Sequence, residues 1–497
     1  MESLNWVYLF TGLFLAWCLI IAAYNVFLHP LRNYPGPKLD AATRLVYVYH
    51  MILGDSCKYL ASLHDKYGEV VRVGPNELSY TTVSANKTIF GTKATADSSF
   101  EKNPAVYIQG SGMSQNILFA STSEHPRYRR LMGPAFSEQA IREQEPMIQE
   151  FTSTMIETLR HNRSGKAYFP SEDSIVNIGA WSIFFTFDVF SALSFGEPIG
   201  CIATADYHPW AHVIFGAMKH ATFLQCAYRL KPYHRILEKL IPREISAPME
   251  EHMEYSRAFM ERTGKDEKFS RASFSSFILK GMNKDELFDN INILATAGSE
   301  TTATAISSIF YYLTHNPDSY QRLVDEVRSA FTSEHGITFN STAKLKYLNA
   351  VIKETLRIHP SVPVGLHRIT PEAGSYIDGQ WVPGGTWVSV ALLAAYRSPR
   401  YWHRPEEFIP ERWLGDPEFE SDNRAIWAPW SIGPRKCIGI NLAYLNMRLI
   451  TVRLLWNFDF EAQPDNLDPH ELHEFGVWQG QAPLNLKMRD ARTSAEV

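Results

Sequence analysis

The stretch from Asn283 to His315 restricts the fold of this chain more than any other. Apolar residues recur there at helical spacing, at Phe288, Ile291 and Leu294 and again at Ile306, Ile309, Phe310 and Leu313. Asn283 is a good N-cap, and Glu286 three places on completes a capping-box pattern. The pattern stops before Asn316-Pro317, where Asn316 is the expected cap and Pro317 the first turn of a second helix. About thirty residues at ~1.5 Å each make a rod of roughly 48 Å. Such a rod crosses an entire domain and is buried on most sides, so the other elements must pack around it.

Strand signals are few and local. "SYIDGQWVPGGTWVSV", residues 375 to 390, places Asp378-Gly379, a favoured two-residue hairpin turn, between aromatic and β-branched runs. "GEVVRVGPNELSY", residues 68 to 80, alternates in a similar way. A mainly helical body with a small β-rich region is the expected architecture.

The N-terminus departs from this body. Trp6 to Leu28 contains no charge and would rise about 35 Å as a helix, enough to cross a bilayer. Arg32 and Lys38 follow it and only Glu2 precedes it, which predicts a single-pass anchor with the body on the cytosolic side. A cleaved signal peptide fits less well, because the apolar run is long and no basic segment precedes it. "YPGPKL", residues 34 to 39, reads as a stiff hinge. The expected division is residues 1–30 as anchor, 31–40 as hinge and 41–497 as one catalytic domain. Asn86, Asn162 and Asn340 lie in glycosylation sequons and stay unmodified if the body is cytosolic. The net charge of -5 gives no reason to expect nucleic acid as a partner. Five cysteines without CxxC spacing argue against a disulfide framework or a zinc ribbon. "HELHE", residues 470 to 474, lacks the order of a zinc-protease motif and reads as surface.

One cysteine is framed unlike the others. In "WSIGPRKCIG" Gly433 permits a tight turn, Arg435 offers a fork of donors, and Gly439 lets backbone approach a flat group beside Cys437. An apolar helix starts just after the sulfur, and a helix N-terminus favours a thiolate. The stretch is similar to the haem-binding signature of the cytochrome P-450 family, aromatic-x-x-Gly-x-Arg-x-Cys-x-Gly, with five spaced positions in agreement. Trp430 stands where the family usually has phenylalanine. The resemblance implies the cytochrome P-450 fold and haem b with Cys437 as axial thiolate, a ligand that pushes electron density into iron and helps break an O–O bond.

Further stretches carry the same resemblance in family order. "AGSETT", Ala297 to Thr302, sits midway along the long helix. By resemblance Thr301 would hydrogen-bond the oxygen being activated, and Glu300 would connect it to solvent protons. "KETLR" spaces Glu354 and Arg357 as the family's buried pair, and "PERW" supplies Arg412 as third member of that structural network, with Trp413 replacing a phenylalanine. Arg435, Arg129 and Arg368 match positions that bind haem propionates, and His125 stands where tryptophan is common. The "VPVGLHRITPEAGSYIDGQWVPGG" stretch looks most like members from filamentous fungi that tailor secondary metabolites.

The implied function is a monooxygenase anchored in the endoplasmic reticulum membrane. It would hydroxylate or epoxidise a bulky apolar molecule, a terpenoid, alkaloid or polyketide, with O2. No dinucleotide fingerprint follows a strand, so the resemblance implies electrons from an NADPH-dependent diflavin reductase, which Arg127, Arg130, Lys436 and Arg448 would steer toward a monomeric catalytic domain. Substrate contacts are expected in 100–122, 205–230, 291–301, 361–367 and 475–480. A haem-thiolate isomerase or dehydratase acting on a peroxide, and a non-catalytic haem sensor, are the alternatives. NADPH-independent turnover would mark the first, and no NADPH consumption with any ligand the second.

Overall fold

The computed structural model describes residues 2–93, 98–108, 116–161, 174–262, 274, 281–475, 478–479 and 483–491. The uncharged N-terminal stretch forms helix α1, Glu2–Phe27, and its segment Tyr8–Phe27 is apolar and long enough to cross a membrane. Large side chains of α1 such as Phe10 and Leu19 are exposed, as a helix without protein neighbours requires. Its last turn is held to the body. Asn25 Nδ2 donates to the Ala42 carbonyl at 3.0 Å, and Arg72 Nη2 donates to the Asn25 carbonyl at 2.9 Å. The proline-rich segment that follows is stiff as expected, but it is seated rather than free. Leu31 is buried, and the Arg72 N–H donates to the Pro35 carbonyl at 2.7 Å. A Cβ on Gly36 would lie 2.4 Å from the Arg72 carbonyl oxygen, so glycine is required by close approach.

Helices α2, Lys38–Ala42, and α3, Leu45–Leu53, lead into strands β1, Val70–Gly74, and β2, Glu77–Tyr80. After β3, Glu101–Lys102, the chain is helical through α4, His125–Met132, α5, Ile178–Phe195, α6, Pro209–Arg229, and α7, His234–Lys239. The long helix is α8, Lys284–His315, and both capping-box bonds between Asn283 and Glu286 form. It is followed by α9, Pro317–Ala330, and α10, Lys346–Ile358. Asn316 does not cap α9 with its side chain. Its Nδ2 donates back to the Tyr312 carbonyl at 2.7 Å and closes the end of α8.

Strands β4, Arg368–Ile369, β5, Ser375–Ile377, β6, Gln380–Val382, and β7, Trp387–Val390, make the β-rich region. One sheet runs β1-β2-β7-β4-β3, with β2 and β7 parallel and the other pairs antiparallel. The β5-β6 hairpin turns at Asp378 (φ 51°) and Gly379 (φ 74°), the two left-handed residues of a type I′ turn. Helix α11, Ile440–Asn457, completes the site-bearing frame.

Helix α5 is long and apolar enough to span a membrane, yet it is buried on all sides, which marks a core helix. It packs along α8. At their crossing a Cβ added to Gly298 would sit 2.0 Å from the Phe190 ring, so the two helices meet over a bare backbone. Gly298→Ala is expected to destabilise the protein by about 1–3 kcal/mol through overpacking, read as a lowered thermal midpoint, with Phe190→Ala in the same chain recovering part of the loss specific to the clash.

Two surface expectations change. His470 is half-buried and hydrogen-bonds Tyr312 Oη at 2.7 Å, and Glu474 is buried beside Ser56, whose hydroxyl donates to it at 2.9 Å. Of the sequons, Asn86 is buried, Asn162 lies outside the described residues, and Asn340 is exposed and so reports topology.

Candidate active site

The thiol loop is built on two left-handed residues, Ser431 (φ 59°) and Gly433 (φ 72°). A Cβ on Gly433 would also fall 2.1 Å from the Phe90 carbonyl oxygen, so both angle and space demand glycine. The Cys437 N–H donates to the Trp430 carbonyl at 2.8 Å, and α11 begins just past Gly439. Cys437 is exposed although protein closes round it, so its sulfur lines an interior space and not the outer surface. Burial pushes the thiol up, while the Gly439 N–H and the Arg129 charge oppose that rise. Gly439 has an ordinary φ of -89°, and a Cβ there would meet the sulfur at 4.0 Å, an ordinary van der Waals contact. The Trp430 ring lies 5.5 Å from that of Tyr444, and its buried Nε1–H makes no hydrogen bond.

Cations gather beside this loop. Arg129 Nη1 donates to the Lys436 carbonyl at 2.8 Å, and Arg435 Nη2 donates to the Ala120 carbonyl at 2.8 Å. Arg435 Nη1 and Arg368 Nε are buried without a hydrogen-bond partner. Burial, together with Arg435, Lys102, Arg129 and Arg368, pushes His125 down to about 4, so this imidazole is neutral at physiological pH. Lys102 was not foreseen. It sits opposite Arg368 where β3 pairs with β4, and burial with the Arg368 and Arg435 charges holds its ammonium well below the usual lysine range.

On helix α8 Ala297 is exposed and Thr301 half-buried, whereas Ser299, Glu300 and Thr302 are buried. The Thr301 hydroxyl donates to the Ala297 carbonyl at 2.7 Å, and the ladder continues unbroken through the segment. Burial pushes the Glu300 carboxyl up to about 8, against the hydrogen bond it accepts from Thr304 Oγ1 at 2.9 Å. Helix α8 packs on α11, the helix that follows the thiol loop. Asn290, lower on the same helix, accepts the Ile117 N–H at 2.9 Å and fixes one end of the 100–122 region. Within 475–480, residues 476, 477 and 480 lie outside those described.

Beneath the loop, Glu354, Arg357 and Arg412 are fully buried and joined. Arg357 Nε and Nη2 donate to the two Glu354 oxygens at 2.9 and 2.8 Å, and Arg412 Nε donates to Oε1 at 3.0 Å. Burial alone would raise this carboxyl, but the Arg357 and Arg412 guanidinia hold it below the usual range. Two members escaped the sequence reading. Trp413 Nε1 donates to Glu354 Oε2 at 2.9 Å, and Asp422 accepts from Arg412 Nη1 at 2.7 Å. Arg357 Nη1 also donates to the Tyr396 carbonyl at 2.8 Å, and Tyr396 Oη accepts the Ala428 N–H at 2.8 Å, which ties the network to the thiol loop.

The cytochrome P450 family model matches residues 42–488. This chain belongs to that family. It is 58% identical to the cytochrome P450 monooxygenase lnbC of Aspergillus flavus over 97% of this chain and 96% of the relative. It is 50% identical to the monooxygenase FrzC of Cladobotryum sp, over 99% of each, and 40% identical to astA of Talaromyces wortmannii, over 92% of each. As a cytochrome P450 monooxygenase it belongs to a class that uses O2, a redox partner and a haem iron bound by a cysteine thiolate. The residues of this P450 fit that group. An accessible thiol stands in an enclosed space, and two buried arginine N–H groups beside it have no partner. The surrounding cations suppress one another's charge, and the two carboxylates of a haem would relieve that repulsion.

Proposed function

We propose that this P450 is a membrane-anchored monooxygenase in which Cys437 is the axial thiolate of haem b. The enclosed Cys437 thiol beside unpartnered Arg435 and Arg368 donors carries the reading. When bound, haem supplies electron transfer and oxygen activation. Arg435, Arg368, Arg129 and Lys102 would hold its propionates by charge-assisted bonds, and His125 would add a hydrogen-bond donor. The Gly439 N–H and the Trp430 carbonyl hold the thiol loop in place, and the Arg129 charge favours the sulfur anion. Thr301, whose hydroxyl donates to the Ala297 carbonyl at rest, would turn to the oxygen being activated, and Glu300, in its acid form at neutral pH, would supply protons to it.

The body is expected to sit cytosolic on the endoplasmic reticulum membrane, with residues 1–30 as anchor and 41–497 as catalytic domain. Exposed apolar side chains beyond α1 support this. Leu39, Leu45, Tyr49, Ile52 and Leu53 belong to α2 and α3, and Ile236 with Leu240 to the α7 region. Helix α2 packs on α1, α3 on α6 and α6 on α7, so these side chains extend the anchor's apolar surface.

The proposed substrate is a bulky apolar metabolite of the terpenoid, alkaloid or polyketide kind, and the proposed electron donor is a diflavin reductase. Steering of that donor narrows to two residues. Arg127 is already paired with Glu124 and Glu286, and Arg448 donates to Asn349 at 2.9 and 2.6 Å, whereas Arg130 and Lys436 are exposed. The test is reconstitution of holoenzyme with reductase and NADPH. NADPH-dependent oxygen uptake is expected, and the Arg130→Glu, Lys436→Glu double variant should raise the apparent KM for reductase several-fold at low salt and little at high salt. Turnover with a hydroperoxide alone and none with NADPH would replace this reading with an isomerase.

A further inference from the structure

Glu300 has polar neighbours further along α8. Thr304, one turn along α8, donates its hydroxyl to Glu300 Oε1. Thr304 also lines a cavity of about 30 Å³ whose other polar walls are Ser307, Ser308, Tyr311 and His359. That volume holds about two waters, and a water there has enough polar partners to be bound. Ser308 Oγ sits between the Thr304 carbonyl at 2.8 Å and His359 Nδ1 at 2.8 Å. His359 Nε2 is buried on the other side of the ring, near the Pro469 backbone. The outer wall includes Leu467, which is 54% exposed, so the cavity adjoins solvent there.

We propose that this cavity is the water port through which Glu300 is reprotonated, with Thr304 passing the proton and the Ser308–His359 pair orienting the water. The inference rests on the role of Glu300 stated above and adds the outer leg of the path. After Glu300 has released its proton, Thr304 gives its hydroxyl proton to the carboxylate and takes one from a cavity water, which bulk solvent restores. One proton moves inward, and no electron changes place. Burial of Glu300 favours its acid form near neutrality, which a proton donor needs. Thr304 is a proton-relay residue and Ser308 a positioning residue; neither touches substrate or oxygen. Ser308 also back-bonds to the preceding helical turn, as hydroxyls inside helices commonly do.

Holoenzyme reconstituted with reductase, NADPH and O2, without added substrate, tests the route. Thr304→Val should slow NADPH oxidation about a hundredfold, the lower end of what a positioned proton-transfer group contributes, and raise its solvent isotope effect. Thr304→Ser should restore both values, and Ser308→Ala should give a smaller loss. In the resting enzyme, infrared spectra should show the C=O stretch of protonated Glu300, assigned by its loss in Glu300→Gln, moving to higher frequency in Thr304→Val. An unchanged band and unchanged rate in Thr304→Val would overturn the route. Each variant's reduced, CO-bound spectrum separates the two readings. A thiolate band missing from the parent protein overturns the proposed function, whereas a band present throughout leaves only the route under test.

Discussion

Cys437→Ser is expected to remove the strongly red-shifted Soret band of the reduced, CO-bound holoenzyme and all NADPH-dependent oxygenation. A thiolate donates electron density to iron that a serine oxygen does not match. The loop itself should survive the change. Its turn is set by Ser431 and Gly433, and its position by the Cys437 N–H bond to Trp430 and the Arg129 bond to the Lys436 carbonyl. None of these uses the sulfur. The variant should therefore fold, and porphyrin content measured beside the spectrum separates lost ligation from lost structure. A serine variant that keeps the red-shifted band would show that another side chain holds the iron.

The second large effect lies under the loop. Glu354→Ala leaves Arg357 and Arg412 buried with no shared carboxylate, a change expected to cost about 3–5 kcal/mol. Arg412 keeps Asp422 and Arg357 keeps backbone carbonyls, so each retains some partners. The shared acceptor of four donor groups is what disappears: Arg357, Arg412, Trp413 and the Ile409 N–H. Haem retention during urea titration should fall together with stability, because Tyr396 carries the network to Ala428. Trp413→Phe removes one bond to a charged acceptor and should cost about 1.5–3 kcal/mol. The pH sign follows from the depressed carboxyl. Its contribution is present above the unfolded value of 4.5 and is lost as pH falls through the lower folded value. Stability unchanged in both variants would contradict this account.

The elements that the sequence makes legible are those specified by neighbouring residues. Asn283 and Glu286 form both capping bonds, and Asp378-Gly379 makes its turn, because each signal is complete within four residues. The thiol loop is legible because its signature, though ten residues long, is contiguous in sequence. Lys102 is not, since only the pairing of two-residue strands places it beside Arg368. Asp422 and Tyr396 likewise reach the Glu354 network through tertiary folding and carry no spacing that announces them. Trp413 did carry a signal, an indole N–H where the family has none, but its partner could be read only from the structure. The "HELHE" stretch is at the surface only in part: Glu471 and His473 are exposed, and Glu474 is buried, satisfied by Ser56 and the Cys57 N–H, partners far away in sequence.

Asn25, Ala42 and Arg72 leave little rotational play between α1 and the body. On the proposed topology, the tilt of the catalytic domain against the lipid is then set by the chain itself and not by a swinging tether. A greasy metabolite already dissolved among acyl chains would meet the same portal at every encounter, at a fixed depth. Lengthening the segment around Gly36 should therefore loosen that alignment while leaving attachment intact.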